Sequence, residues 1–292
     1  MIELSAIARE KEITKEKFLG VYKAKEIPVV MENITKDWPA KAKWSLEYFE
    51  SLAGDKEVKL YDSKPSYGKK LQHAAETSMP IKEYFQRLRA GENDLRMFFF
   101  NMFVELPILK YDFTFPDHIG LKFFKKLPVM FVGGNGAKVQ MHIDIDYADI
   151  FLCHFGGKKR VVLFSPEQTP LMYHVPYSFS SLFDVDWDNP DYEKYPALKH
   201  LKGVVTELNH GDVLYIPPGW WHYIVYEEIG ISMAIRQFPR SLGNIYKMLR
   251  NLLWTRSVEG IMRLLIGQKW NERNEKLSVT RTHQYLKENN LK

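Results

Sequence analysis

Residues 212–226 read Asp212-Val213-Leu214-Tyr215-Ile216-Pro217-Pro218-Gly219-Trp220-Trp221-His222-Tyr223-Ile224-Val225-Tyr226. Two runs rich in β-branched and aromatic residues flank a pair of prolines and a glycine. Proline has no N–H to give to a ladder and glycine permits a sharp turn, so the stretch reads as strand, tight turn, strand. The same texture recurs in Arg96–Val104, Val129–Val132, Lys138–His142, Asp149–Phe155, Arg160–Phe164, Val204–Leu208 and Ile231–Phe238, most of them bounded by Gly or Pro. Eight or nine short strands over about 140 residues, with no helical pattern between them, predict a mainly β sandwich, barrel or jelly roll and not a parallel α/β sheet.

On either side of this core the pattern changes. Residues 1–95 read as an α/β region packed on it. The short extended run Ile27–Met31 lies between two helical segments, Thr14–Tyr22 and Ser45–Leu52, and Ser78-Met79-Pro80 caps a helix carrying Ile81, Tyr84, Phe85 and Leu88. The core spans 96–238. Within it, 165–203 is an insert with six acids against three lysines and many aromatics, and a connection of that length without strand signals suggests a lid or binding loop. From 239 to 292 the pattern is helical, with Ile245, Met248, Leu249, Leu252 and Leu253 at helical spacing. That tail holds eleven Lys/Arg against four Glu, more than the whole chain's net charge of +5. Its apolar stripe either docks on the core or forms a homodimer interface, and its basic face is either solvated or a phosphate-binding surface.

The single cysteine, Cys153, excludes an internal disulfide and a thiolate zinc site. No run of about 18 uncharged apolar residues is present and the first residues carry charges throughout, so the expectation is a cytoplasmic protein with no membrane segment.

Chemistry concentrates in Gln140-Met141-His142-Ile143-Asp144 and in His222. Side chains two apart on a strand share a face, so His142 and Asp144 can address one ion, and His222 at the start of the next strand can supply a third ligand. Two histidines and one carboxylate form the facial triad of non-haem Fe(II) sites, which keeps coordination positions open. Strand parity places Lys159 with Val161 and Leu163 on one face and Lys158, Arg160 and Val162 on the other, so burying the more apolar row turns Lys159 inward. An inward lysine calls for an anion, either a carboxylate ligand or a protein acid such as Asp149.

Gly211–His222 and Asp188–Glu193, with Pro28–Trp44 ahead of them, resemble the JmjC or cupin-like Fe(II)/2-oxoglutarate oxygenases, and in particular the hydroxylase branch that includes the asparaginyl hydroxylase of hypoxia signalling. The resemblance covers roughly residues 15–240. It implies a double-stranded β-helix and His142, Asp144 and His222 as iron ligands. It also implies 2-oxoglutarate as cosubstrate, held by Lys159, and dioxygen (O2) as oxidant. Three positions depart from the branch: Val139 stands where it carries a threonine, Met97–Asn101 offers no tyrosine, and Arg236 stands where it carries an asparagine. Arg236 and Asn101 are therefore candidate replacements in cosubstrate binding, and Tyr147 and His154 are further polar candidates. The expected reaction is hydroxylation of a protein or peptide side chain, by the acidic and aromatic insert and by the branch. RNA is the alternative, since the family includes a tRNA-base hydroxylase and the tail is basic. A metal-binding cupin without turnover is the reading outside the enzyme class, and demethylation uses the same oxidant.

Overall fold

The computed structural model describes residues 1–64, 68 and 75–291. The strands, in chain order, are β1 (Glu3–Ala6), β2 (Ala8–Glu10), β3 (Val29–Met31), β4 (Glu57–Tyr61), β5 (Thr77–Pro80), β6 (Arg96–Asn101), β7 (Val129–Gly133), β8 (Lys138–His142), β9 (Asp149–Phe155), β10 (Lys159–Phe164), β11 (Lys202–Leu208), β12 (Val213–Ile216), β13 (Trp221–Tyr226) and β14 (Gly230–Gln237). They form two sheets, β1-β11-β10-β13-β8 and β2-β3-β12-β9-β14-β7-β6-β4-β5. At their centre, β8, β13, β10 and β11 face β7, β14, β9 and β12. Every pairing within each set of four is antiparallel, the order of a double-stranded β-helix.

Alternation along the strands builds three apolar layers. Ile150 and Leu152 of β9, Val161 and Leu163 of β10, and Ile224 of β13 point between the sheets and fill the barrel. Phe151, Cys153 and Phe155 point out of the larger sheet onto Phe18, Trp44, Phe49, Tyr84 and Phe85 of the N-terminal region. Trp221, Tyr223 and Val225 point out of the smaller sheet onto the insert and onto Leu286 of the last helix, Gln268–Glu288. Both faces of both sheets are thus covered, which explains why β9, β13 and β14 read as continuous apolar runs and are buried end to end.

The N-terminal region does more than pack on the core. It extends both sheets: β1 runs parallel to β11, β3 pairs with β12, and β4 pairs with β6. The sequence did not announce β1, because all four of its residues are exposed and carry no alternation. The insert is also unlike the free lid its length suggests. It holds two short 3-10 turns, Pro166–Leu171 and Pro196–His200, and buries Tyr173, Trp187, Tyr195 and Leu198 in the layer outside the smaller sheet. Its Asp188 accepts from Arg160 and from Tyr223 and pairs with Lys138, which ties the insert to β10, β13 and β8.

The turn that aims Lys159 is Gly156-Gly157, with φ of 72° and 60° joining β9 to β10. Left-handed backbone at two successive positions suits glycine, and the turn carries the chain from the larger sheet to the smaller one. A Cβ on Gly157 would lie 2.4 Å from the Ile229 carbonyl oxygen, whereas one on Gly156 would meet nothing within 4 Å. Gly157→Ala is accordingly expected to destabilise by more than the roughly 1–2 kcal/mol of left-handed strain alone, and Gly156→Ala by about that strain. Equal unfolding midpoints for the two variants in denaturant would show that the turn is not held against Ile229.

Candidate active site

His142 closes β8 and His222 lies near the start of β13, and the two are register partners. Their ring centroids are 4.0 Å apart. Pro217-Pro218-Gly219 turns the chain between β12 and β13, and Gly219, at φ 75°, lets the turn pass under the Tyr147 ring, 2.8 Å from where a Cβ would sit. Tyr147 in turn follows Asp144 by three residues and donates its N–H to the Asp144 carbonyl at 3.3 Å. The loop after β8 and the turn before β13 therefore hold each other, and bring the third ligand to the first two.

Each histidine uses Nδ1 on the backbone. His142 Nδ1 lies 2.8 Å from the Gln140 carbonyl oxygen and His222 Nδ1 lies 3.1 Å from that of Trp220. A carbonyl only accepts, so Nδ1 carries the proton in both rings and Nε2 presents a lone pair. His222 Nε2 is 4.0 Å from Asp144 Oδ2, and one ligand atom from each of His142, Asp144 and His222 lies within 4.8 Å of the others. Burial lowers the His222 pKa to about 4, which keeps that ring neutral and available as a ligand. Asp144 keeps 32% of its side-chain surface. Enclosure by the surrounding walls, and then the neighbouring Asp146 carboxylate, raise its pKa, while His142 and Arg236 oppose the rise. Two imidazoles and one carboxylate converging on one point are the donor set that suits Fe(II), so the residues present fit that ion.

Lys159 is 1% exposed and lies deeper in the barrel. Its Nζ donates to Ser232 Oγ on the opposite sheet and sits 3.9 Å from the centre of the Tyr226 ring. Ser232 Oγ is also 3.0 Å from His154 Nδ1. Burial, and next the Lys159 charge, push the His154 pKa well below the usual histidine range, so its ring is neutral. Asp149, the protein acid that could have paired with Lys159, is occupied elsewhere: it accepts from Lys23 at 2.7 Å, Tyr215 at 2.8 Å and Gln237 at 3.1 Å. The neutral hydroxyl and ring beside Lys159 solvate its ammonium without cancelling its charge. Ser232 and Tyr226 were not singled out from the sequence. Parity on β14 could have found Ser232, a lone hydroxyl in the row that carries Ala234 inward.

The two replacement candidates fare differently. Asn101 turns its carbonyl to the N–H groups of Phe103 and Val104, capping the short helix Met102–Glu105, and its amide to the Lys126 carbonyl at 3.4 Å. A helix-capping asparagine is a local backbone device, so the Asn101 side chain spends its polar atoms on the backbone here. Arg236 is buried and gives Nη1 to Asp146 Oδ2 at 2.6 Å, which offsets the acid beside Asp144, and its buried Nε has no partner. Its guanidinium carbon is 5.6 Å from the Phe99 ring, a partly exposed aromatic held at φ 56°.

The tail closes on this same side. Lys247 Nζ lies 5.3 Å from the Tyr147 ring and Asn251 donates to the Ile145 carbonyl at 3.2 Å, so the helix Leu242–Leu249 and the turn after it border the Asp144 loop. Among the described residues, the Lys and Arg side chains of the tail other than Arg263 are exposed. No helix among the described residues is long and apolar enough to cross a membrane.

The profile of a cupin-like domain matches residues 15–240. The chain is 32% identical to tRNA wybutosine-synthesizing protein 5 of Gallus gallus over 244 residues, 76% of this chain and 74% of that protein. It is 30% identical to the protein of the same name from Homo sapiens over 255 residues, 78% of this chain and 76% of that protein. It is 29% identical to JmjC domain-containing protein D of Dictyostelium discoideum over 246 residues, 76% of this chain and 53% of that protein.

Proposed function

This chain belongs to the cupin-like, JmjC-type oxygenase family, and from that premise we propose that it is an Fe(II)- and 2-oxoglutarate-dependent oxygenase of the cytoplasm that hydroxylates a nucleoside in tRNA. The observation that carries the RNA substrate is the positive charge beside the Asp144 loop: Lys247, over the Tyr147 ring, and Arg250 are exposed there. A phosphate backbone is the polyanion such a rim would engage. Relatives named for tRNA wybutosine synthesis, at 30% and 32% identity, support the same substrate class. Several aromatic groups of the insert, which favour a peptide when read from sequence, are buried against the smaller sheet, Tyr173, Trp187 and Tyr195 among them, and Asp188 is engaged by Arg160.

In this reading His142, Asp144 and His222 hold the iron, and Lys159 anchors the distal carboxylate of 2-oxoglutarate. Iron with the keto acid and O2 would supply the oxidising power to hydroxylate a C–H bond as the keto acid becomes succinate and CO2. The chain's own part is positional. The Nδ1 bonds to backbone carbonyls fix both imidazole planes, Arg236 offsets Asp146 so that the local negative charge is left on Asp144, and the apolar barrel interior keeps water from the cosubstrate.

We also propose that the chain is a homodimer through its tail. Leu242, Leu253, Trp254, Leu264 and Leu265 are each 64–86% exposed, a larger apolar face than soluble monomers usually leave to water.

The test is incubation with Fe(II), 2-oxoglutarate and air together with bulk tRNA or a cellular peptide mixture. The expected result is succinate release with tRNA and a nucleoside in its digest heavier by one oxygen atom. Oxygen incorporated into peptide and not into tRNA would replace the RNA reading with a protein-hydroxylase one.

A further inference from the structure

We propose that Arg96 is a second cationic anchor for the distal carboxylate of 2-oxoglutarate, so that this chain grips its cosubstrate between a lysine and an arginine. The inference rests on the oxygenase reading above and assigns a residue that reading does not use.

Arg96 opens β6 and is the register partner of Gly133 on β7. Gly133 is where the two sheets touch: a Cβ there would lie 2.9 Å from the Tyr226 ring, so only a bare backbone lets that ring cross the barrel from β13. The ring carries Lys159 Nζ over its face, and the positive charge of Arg96 acts on both Tyr226 and Lys159. Two cations from opposite sheets therefore share one end of the barrel.

Among the described residues neither makes an ion pair, although the Asp62 charge acts on Arg96 from a distance. Among the described residues Arg96 makes one hydrogen bond, from Nη2 to the Asp62 carbonyl oxygen at 3.2 Å, and its Nε is enclosed without a partner. Among the described residues Lys159 has the Ser232 hydroxyl and the Tyr226 ring. Burial lowers the pKa of both groups, and Arg96 lowers that of Lys159 further. A pair of like charges with unused donors in a low-dielectric enclosure is unfavourable until an anion arrives. A carboxylate has two oxygens and four lone-pair sites, enough to accept from an ammonium and from the edge of a guanidinium together. This arrangement also answers the departures on β6 and β8: a charged fork does the work for which hydroxyl groups are missing.

The experiment is an anaerobic titration of the Fe(II)-loaded protein, reading the visible charge-transfer band that forms as a keto acid chelates iron. Parent, Arg96→Met and Arg96→Lys are each titrated with 2-oxoglutarate and with 2-oxobutyrate, which lacks the distal carboxylate. Loss of a charged hydrogen-bonding group predicts that Arg96→Met weakens 2-oxoglutarate about 10- to 100-fold, leaves 2-oxobutyrate and iron binding unchanged, and that Arg96→Lys falls between. Parent-like affinity for 2-oxoglutarate in Arg96→Met, or equal weakening of both keto acids, overturns the assignment. Should the variants fail to fold, arginine-directed phenylglyoxal labelling of the parent decides: protection of Arg96 by 2-oxoglutarate and not by 2-oxobutyrate supports the role, and labelling indifferent to both refutes it. A parent protein that gives no band with either keto acid removes the oxygenase reading itself, an outcome distinct from a parent that binds while Arg96 proves idle.

Discussion

Replacing His222 with alanine is expected to abolish both iron retention and succinate formation while leaving the fold in place. The ring is 5% exposed, yet its polar bonds amount to Nδ1 on the Trp220 carbonyl, and Trp221 beside it keeps its own anchor from Nε1 to Thr169 Oγ1 at 3.0 Å. What the substitution removes is one of three donors whose atoms converge within 4.8 Å. Disturbing an outer-shell partner of a metal ligand already costs roughly 10–100-fold in affinity, so losing the ligand exceeds that range. Equilibrium dialysis against Fe(II), with circular dichroism to verify folding, measures it. Parent-like iron binding by a folded His222→Ala protein would show that the triad is not the metal site.

The second large effect carries opposite signs for stability and for binding. Lys159→Met should raise the melting temperature while removing the grip on 2-oxoglutarate. Lys159 is a buried cation with neutral neighbours, and replacing buried charge by apolar volume is commonly stabilising, here by about 1–3 kcal/mol. For a chain of this size that is an upward shift of roughly 2–8 °C. Truncating one partner of a buried charged contact costs about 2–5 kcal/mol of binding, so cosubstrate affinity should fall at least roughly 30-fold. A lower melting temperature with unchanged affinity would mean that Lys159 is a structural cation.

The same group sets a pH dependence. Burial first, and Arg96 second, push the Lys159 pKa well below its ordinary value. The groups that face it are Arg96 from β6, Tyr226 from β13, and Ser232 and neutral His154 from β14 and β9. The folded state thus holds fewer protons than the unfolded one between the depressed and ordinary pKa values. Stability is therefore lost as pH falls through that window, and Lys159→Met recovers it. For binding, the ammonium is the form that an anion selects. Affinity for 2-oxoglutarate should be highest below the depressed pKa and fall by up to about tenfold per pH unit above it, with a proton taken up on binding. Calorimetry in buffers of different ionisation enthalpy reads that uptake, and Lys159→Met should lack it.

The barrel and triad were legible in the sequence because they depend on local signals. Turn residues bracket the strands, alternation on β10 aims Lys159, and the two-residue spacing of His142 and Asp144 survives as a shared site. What the sequence hid depends on contacts across the barrel. Arg96 looks like an ordinary charged strand end until Gly133 admits the Tyr226 ring beside it. Asn101 looks like a pocket amide until the chain turns into a helix directly after it. The insert looks like a loop because its aromatics lack period, and it is folded because the outer face of β13, with Trp221 and Tyr223, has to be covered.

The proposed function requires that His142, Asp144, His222 and Lys159 together hold iron and a chelating keto acid. Adding 2-oxoglutarate to the Fe(II)-loaded parent protein without oxygen tests it most directly. The expected result is a visible charge-transfer band that saturates at one equivalent of iron per chain. Tight stoichiometric iron binding with no band at any concentration of 2-oxoglutarate would contradict it and leave a metal-binding cupin without this cosubstrate.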